Sequence, residues 1–165
     1  MLHPPMSFSE LQAEAHKDAR DFCGIGLARD FRVLLRRETP EWRIIVYSAR
    51  CLPSRDLAFG CTVVSVANGE GGGGTTRIAR SLPEESLVDC YSHTSHGRYA
   101  LAYGRVLDAR VDAVEVVFAD GRTVRERPAN GVYAAFAPGV ERGVQLRAMD
   151  VTGSILQQLD ISSCF

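Results

Sequence analysis

The stretch Val114-Glu115-Val116-Val117-Phe118, the Asp120-Gly121 step and Arg122-Thr123-Val124-Arg125 constrain the fold more than any other part of the chain. Apolar residues alternate on both sides of Asp-Gly, and that dipeptide suits a type I′ turn, whose two centre positions both need φ > 0. The pattern predicts a β-hairpin. A second follows in Val144-Gln145-Leu146-Arg147-Ala148, Asp150-Val151-Thr152-Gly153 and Ser154-Ile155-Leu156, with Asp opening and Gly closing a type I turn.

Strand periodicity also runs upstream. Phe31 to Leu35 and Trp42 to Tyr47 flank a Thr39-Pro40-Glu41 turn, and Phe59 to Ala67 is rich in β-branched Thr62, Val63, Val64 and Val66. Tyr99 to Tyr103 opens the C-terminal strand series, and Leu82 to Val88 reads as a short helical turn. After the Phe59 to Ala67 run, Asn68-Gly69-Glu70-Gly71-Gly72-Gly73-Gly74 has almost no side chains to pack, which predicts a flexible linker or mobile hairpin tip. A phosphate-cradling loop would need a following Lys-Ser or Lys-Thr and a helix start, and Thr75-Thr76-Arg77-Ile78 reads as a strand.

The N-terminus differs. Ser7 and Glu10 form a capping-box pattern, Met6 is placed to staple to Leu11, and Phe8, Leu11, Ala15, Ala19 and Phe22 recur at helical spacing until Gly24 and Gly26. Glu14, Lys17, Asp18 and Arg20 occupy the other faces. Such an amphipathic helix buries its apolar stripe either on its own domain or in a neighbouring chain, and Phe8, Leu11, Ala15 and Phe22 are the candidate partner contacts. The expected architecture is mainly β: an antiparallel Ig-like β-sandwich with an N-terminal amphipathic helix. Residues 1–30 form the helix and connector and 31–162 a single sandwich domain, with a sub-boundary near residue 98.

With 165 residues and a formal charge of −1, the chain has room for one full core but lacks the positive field of a dedicated nucleic-acid binder. No apolar run approaches the ~20 residues that span a bilayer. Met1-Leu2-His3-Pro4-Pro5 has no basic and apolar leader pattern, so the sequence does not read as an exported precursor. The five cysteines, Cys23, Cys51, Cys61, Cys90 and Cys164, are widely spaced and odd in number. A Cys51 to Cys61 bridge would close a short loop and imply an oxidising compartment; reduced cysteines acting as small hydrophobes, the favoured reading, imply the cytoplasm.

Functional side chains are densest at Asp89-Cys90-Tyr91-Ser92-His93-Thr94-Ser95-His96. Cys90, His93 and His96 could ligate zinc or copper, although no fourth donor lies nearby. Cys90 with either histidine could also pair nucleophile and base, but nothing marks an oxyanion hole. Glu84 and Glu85 are adjacent and point apart, while Asp56, Asp89 and Asp160 have no carboxylate partner in sequence, so no acid and base pair is indicated. Arg32, Arg36, Arg37 and Arg43 suit edge-strand charges or a contact for an acidic partner. Tyr47, Tyr99, Tyr103, Tyr133 and Phe136 lie in strands, where they belong to a core or to an apolar outer patch.

Gly104-Arg105-Val106, Val111 to Val116, Ala119 to Val124, Asn130-Gly131, Pro138-Gly139 and Ala148 to Gly153 together resemble a C-terminal Ig-like β-sandwich module of uncharacterised bacterial, mainly actinobacterial, proteins. In those chains a strand similar to Trp42 to Tyr47 precedes a cysteine-bearing loop, which Cys51 and Cys61 would occupy. The resemblance covers about residues 42 to 160 and rests on hairpin chemistry, so it implies a fold and brings no catalytic or ligand residues with it. The functional expectation is a non-enzymatic accessory or structural subunit without a cofactor. It would bind partner proteins in a larger assembly by helix docking or strand addition. The alternative is a small-ligand or metal sensor using Cys90, His93 and His96.

Overall fold

A computed structural model describes residues 5–79 and 86–165. The first part of the expected helical turn at 82–88, with Glu84 and Glu85, lies outside the described residues. The chain divides into two compact units, Met1–Leu82 and Pro83–Phe165, in place of a short helical segment followed by one sandwich over 31–162. The division follows pairing: among the described residues the strands of the first unit pair only with one another.

The first unit holds α1 (Phe8–Cys23), β1 (Ala28–Glu38), β2 (Trp42–Cys51), β3 (Asp56–Ser65) and β4 (Gly71–Ile78). Its strands form an antiparallel sheet in the order β1-β2-β3-β4. The predicted capping box starts α1: Glu10 N–H donates to Ser7 Oγ at 3.2 Å and Ser7 N–H to Glu10 Oε2 at 2.6 Å. Gly24 ends it at φ 103°. Because strand side chains alternate, Ile45, Tyr47, Ala49 and Cys51 of β2 share a face with Ala58 and Val64 of β3, and the helix packs Leu11, Ala15 and Ala19 onto that face. Those three helix residues have no exposed surface, so the stripe expected to meet a partner is used inside its own unit, with Phe8 and Phe22 packed partly buried at its margins. Burying Leu11 alone stabilises this packing by about 1.5–3 kcal/mol.

The cysteines are neither all reduced, as favoured, nor bridged between Cys51 and Cys61, the alternative. Cys51 bonds to Cys23, at the end of α1. In the β2–β3 register Cys51 faces Asp56 while Cys61 faces Val46, which places the two cysteines five rungs, roughly 17 Å, apart and on opposite faces of the sheet. A helix lying across the Cys51 face brings Cys23 to it; no local loop could bring Cys61.

The glycine run is a strand. Gly71 to Gly74 pair with Val64 to Cys61, and the β3–β4 register continues unbroken to Leu57 and Ile78. A Cβ at Gly71 would come within 1.8 Å of the Val63 carbonyl oxygen, and one at Gly73 within 2.2 Å of that of Cys61. Glycine is needed here for close backbone approach and not for flexibility.

The second unit contains β5 (Tyr91–Ser95), β6 (Tyr99–Arg105), β7 (Ala113–Phe118), β8 (Thr123–Glu126), β9 (Val132–Pro138), β10 (Gly143–Met149) and β11 (Ile155–Asp160). These form two antiparallel sheets, β5-β6-β9 and β11-β10-β7-β8. They bury one core between them. Small residues Ala100, Ala102, Ala135 and Ala137 on the first sheet meet Val114, Val116, Phe118 and Leu146 on the second, so large and small side chains interleave. The mainly β, antiparallel prediction with one N-terminal helix therefore holds, and the sandwich proper begins at β5.

Both predicted C-terminal hairpins form, but the first uses a different turn. Only Gly121, at φ 88°, is left-handed. Gly121 N–H donates to Phe118 O at 2.9 Å and Phe118 N–H to Arg122 O at 2.8 Å, which is a type I turn closed by a glycine bulge. Asp150 to Gly153 does the same, with Gly153 N–H donating to Asp150 O at 3.0 Å. In both, the aspartate carboxylate accepts backbone N–H groups, from Arg122 at 3.0 Å and from Thr152 at 2.9 Å.

Candidate functional site

The Asp89 to His96 segment is held as structure. Asp89 accepts from Arg105 Nε at 2.6 Å and also from the Arg105 backbone N–H, while the Tyr133 hydroxyl donates to the Asp89 carbonyl at 2.7 Å. Cys90 is packed against the sandwich core, and the Ser92 hydroxyl donates to the Cys164 carbonyl. Cys90 lies just before β5 and His93 within it, and the His93 ring lies against Tyr99, its Nδ1 3.0 Å from the phenol oxygen and the ring centroids 5.7 Å apart. His96 sits in the following turn at φ 38°. Cys90, His93 and His96 are thus not brought together. Among the described residues no three His, Cys, Asp or Glu side chains are placed to hold a metal ion. Burial, then the neighbouring Cys164, pushes the Cys90 thiol well above its ordinary range, which keeps it protonated and a poor nucleophile.

The arginine group has a local role. Arg36 donates to Gln12 Oε1 at 2.7 Å, Arg36 and Arg43 lie over the Phe8 ring at 5.7 and 5.6 Å, and Arg43 bonds the Met6 carbonyl. These contacts tie the start of α1 to β1 and β2. Of the aromatics, Tyr47, Tyr99, Tyr103 and Tyr133 are buried and Phe136 is half-buried.

A sizeable concavity lies elsewhere, between α1 and β4. A groove of about 620 Å³ is walled by Gly71 to Thr75 on one side and by the helix on the other, with Leu11, Phe22 and Val64 as its apolar lining. That volume falls within the ~300–1,000 Å³ typical of binding sites. The cause is local: β4 contributes no side chain over four residues, so the space beside the helix stays open.

The helix side is acidic. Glu14, Asp18 and Asp21 also line the groove, and their i, i+4, i+7 spacing puts them in one stripe along α1. None has an ion-pair partner among the described residues. Burial raises the Asp18 carboxyl above its ordinary range, the Glu14 and Asp21 carboxylates raise it further, and Lys17 opposes them. On the floor, Thr62 is 7 % exposed and its buried hydroxyl meets no hydrogen-bond partner among the described residues. Beside it the Tyr47 phenol, pushed up to about 12 mainly by burial, lies 2.6 Å from Thr75 Oγ1.

Sequence reasoning noticed Glu14 and Asp18 only as polar residues off the apolar stripe and missed the groove. The readable signal was a glycine run continuing straight into the strand-like Thr75-Thr76-Arg77-Ile78, since a strand without side chains leaves a hollow on the sheet. No family model, no curated protein and no solved structure matches this chain.

Proposed function

We propose that this protein is a non-catalytic accessory subunit that binds a partner protein, and that the groove between α1 and β4 is its binding site. The supporting observation is the groove itself: an apolar lining, a row of carboxylates without ion-pair partners among the described residues, and a wall that carries no side chain over Gly71 to Gly74. A thiol-enzyme role is disfavoured by the protonated, packed state of Cys90. The Cys23–Cys51 bridge favours an oxidising compartment over the expected cytoplasm. The proposal extends to kinship with the bacterial sandwich-module proteins that residues 42 to 160 resemble.

The test compares wild type with Glu14→Arg/Asp21→Arg, each tagged, expressed in the native cells and isolated gently for native mass spectrometry. The expected result is a complex of defined stoichiometry for the wild type and a bare, folded chain for the variant. A bare wild-type chain, or a complex indifferent to the charge reversal, overturns the proposal.

A further inference from the structure

The sheet of the first unit has two edges built in opposite ways. β1 carries Arg29, Arg32, Arg36 and Arg37, and its register with β2 shifts twice, between Arg29 and Arg32 and between Val33 and Leu35. Charges and bulges are the usual devices that keep an edge from pairing with another chain. β4 has neither device over Gly71 to Thr76: it is uncharged there, free of proline and paired to β3 without a shift. Among the described residues no strand pairs with its outer side. This open edge borders the acidic groove.

We infer that β4 receives an extended peptide segment of the partner as an added strand, with alternate basic side chains of that segment entering the groove beside α1. This deepens the partner-binding reading and rests on it. Backbone pairing follows from the unprotected edge, as in other strand-addition complexes. The basic character follows from charge. Side chains on one face of an added strand recur every ~6.6 Å. Glu14 and Asp18 are about 6 Å apart along the helix axis and Asp18 and Asp21 about 4.5 Å, so the carboxylates can be met in succession. Phe22 and the edge of Val64 suit the methylene stems of Lys or Arg, whose charged ends reach the rim. Thr62 supplies a further observation that points to a ligand, because this side chain is more than nine-tenths buried in the groove lining and its hydroxyl has no partner among the described residues. A second copy of this chain is a poorer occupant, since pairing β4 with β4 would bring two acidic stripes together.

The test uses the full chain with its disulfide formed and a fluorescein-labelled eight-residue peptide of alternating Lys and Val, followed by fluorescence anisotropy. Saturable binding is expected. Methylating alternate peptide nitrogens, or replacing Lys by Glu, should abolish it, and Asp18→Asn/Asp21→Asn should weaken it roughly tenfold, the scale of two solvent-edge ion pairs. Circular dichroism checks that the variant is folded. Binding that survives both backbone methylation and the Asn substitutions overturns the inference. So does a peptide that fails to bind while sedimentation shows dimers. If the peptide fails but the native complex still depends on Glu14 and Asp21, this inference falls and the accessory-subunit reading stands; if both fail, both fall.

Discussion

The two units close their sheets in different ways. In the first, one helix covers one face of a four-stranded sheet and a disulfide joins the helix end to β2. In the second, one sheet covers another and Cys90 and Cys164 remain thiols. A sheet covers a sheet along its whole width, so interleaved alanines and larger residues fill the space between. A helix is only about 10 Å wide. It covers the middle of the sheet and leaves the strip over β4 open, where glycine provides nothing to fill it. The first unit therefore couples a weaker enclosure to a covalent tie and a groove, and the second relies on packing.

Substitutions can break this contrast, and the largest effect belongs to the packed unit. Phe118→Ala, at a position 1 % exposed, should cost about 3–5 kcal/mol, read by urea denaturation, and the loss should be the same with and without reductant. Next comes the tie. Cys23→Ser/Cys51→Ser opens a loop closed over a separation of 28 residues and should cost about 3–4 kcal/mol, with reductant producing the same loss in the wild type and none in the variant. An equal reductant response in the double variant would show that the bridge is not the source.

Gly73→Ala tests the close approach of β4 to β3. The added Cβ meets the Cys61 carbonyl oxygen at 2.2 Å, so a loss of about 1–3 kcal/mol is expected, with earlier hydrogen exchange in β4 than in β10. An unchanged midpoint would mean that the run tolerates a side chain and that flexibility was the better account. The smallest effect is at the groove rim. A carboxyl whose folded pKa is raised favours the folded state while protonated and loses that contribution as pH rises through the folded value. Asp18, raised by burial and by Glu14 and Asp21, should therefore make the wild type slightly less stable than Asp18→Asn at pH 7, and the gap should close on acidification below the usual aspartate range. A gap that widens in acid would reverse the assignment.

Legibility followed the range of the interactions. Helix α1 and the two C-terminal hairpins rest on contacts within a few residues, and Ser7, Glu10, Gly24, Gly121 and Gly153 announced them. The Asp-Gly step marked its hairpin correctly while its turn type did not follow, because a three-residue connection needs one left-handed residue and a two-residue one needs two. The candidate site was barely legible. Cys90, His93 and His96 are close in sequence, but Cys90 packs on the sandwich core while His93 packs on Tyr99; Glu14, Asp21, Thr62 and Gly72 are distant in sequence and meet at one groove.

The amino-acid sequence by itself determined where helix and strand form, because capping, periodicity and turn chemistry act over a few residues. Only the tertiary structure decided what those elements do to one another. The helix crossing selected Cys23 as the partner of Cys51 and took Leu11 and Ala15 into the core of their own unit. The backbone of β3, by its closeness, turned a glycine run that reads as a flexible tip into an edge strand. Such outcomes depend on which surfaces exclude water and which backbones meet, and no local pattern of residues encodes either.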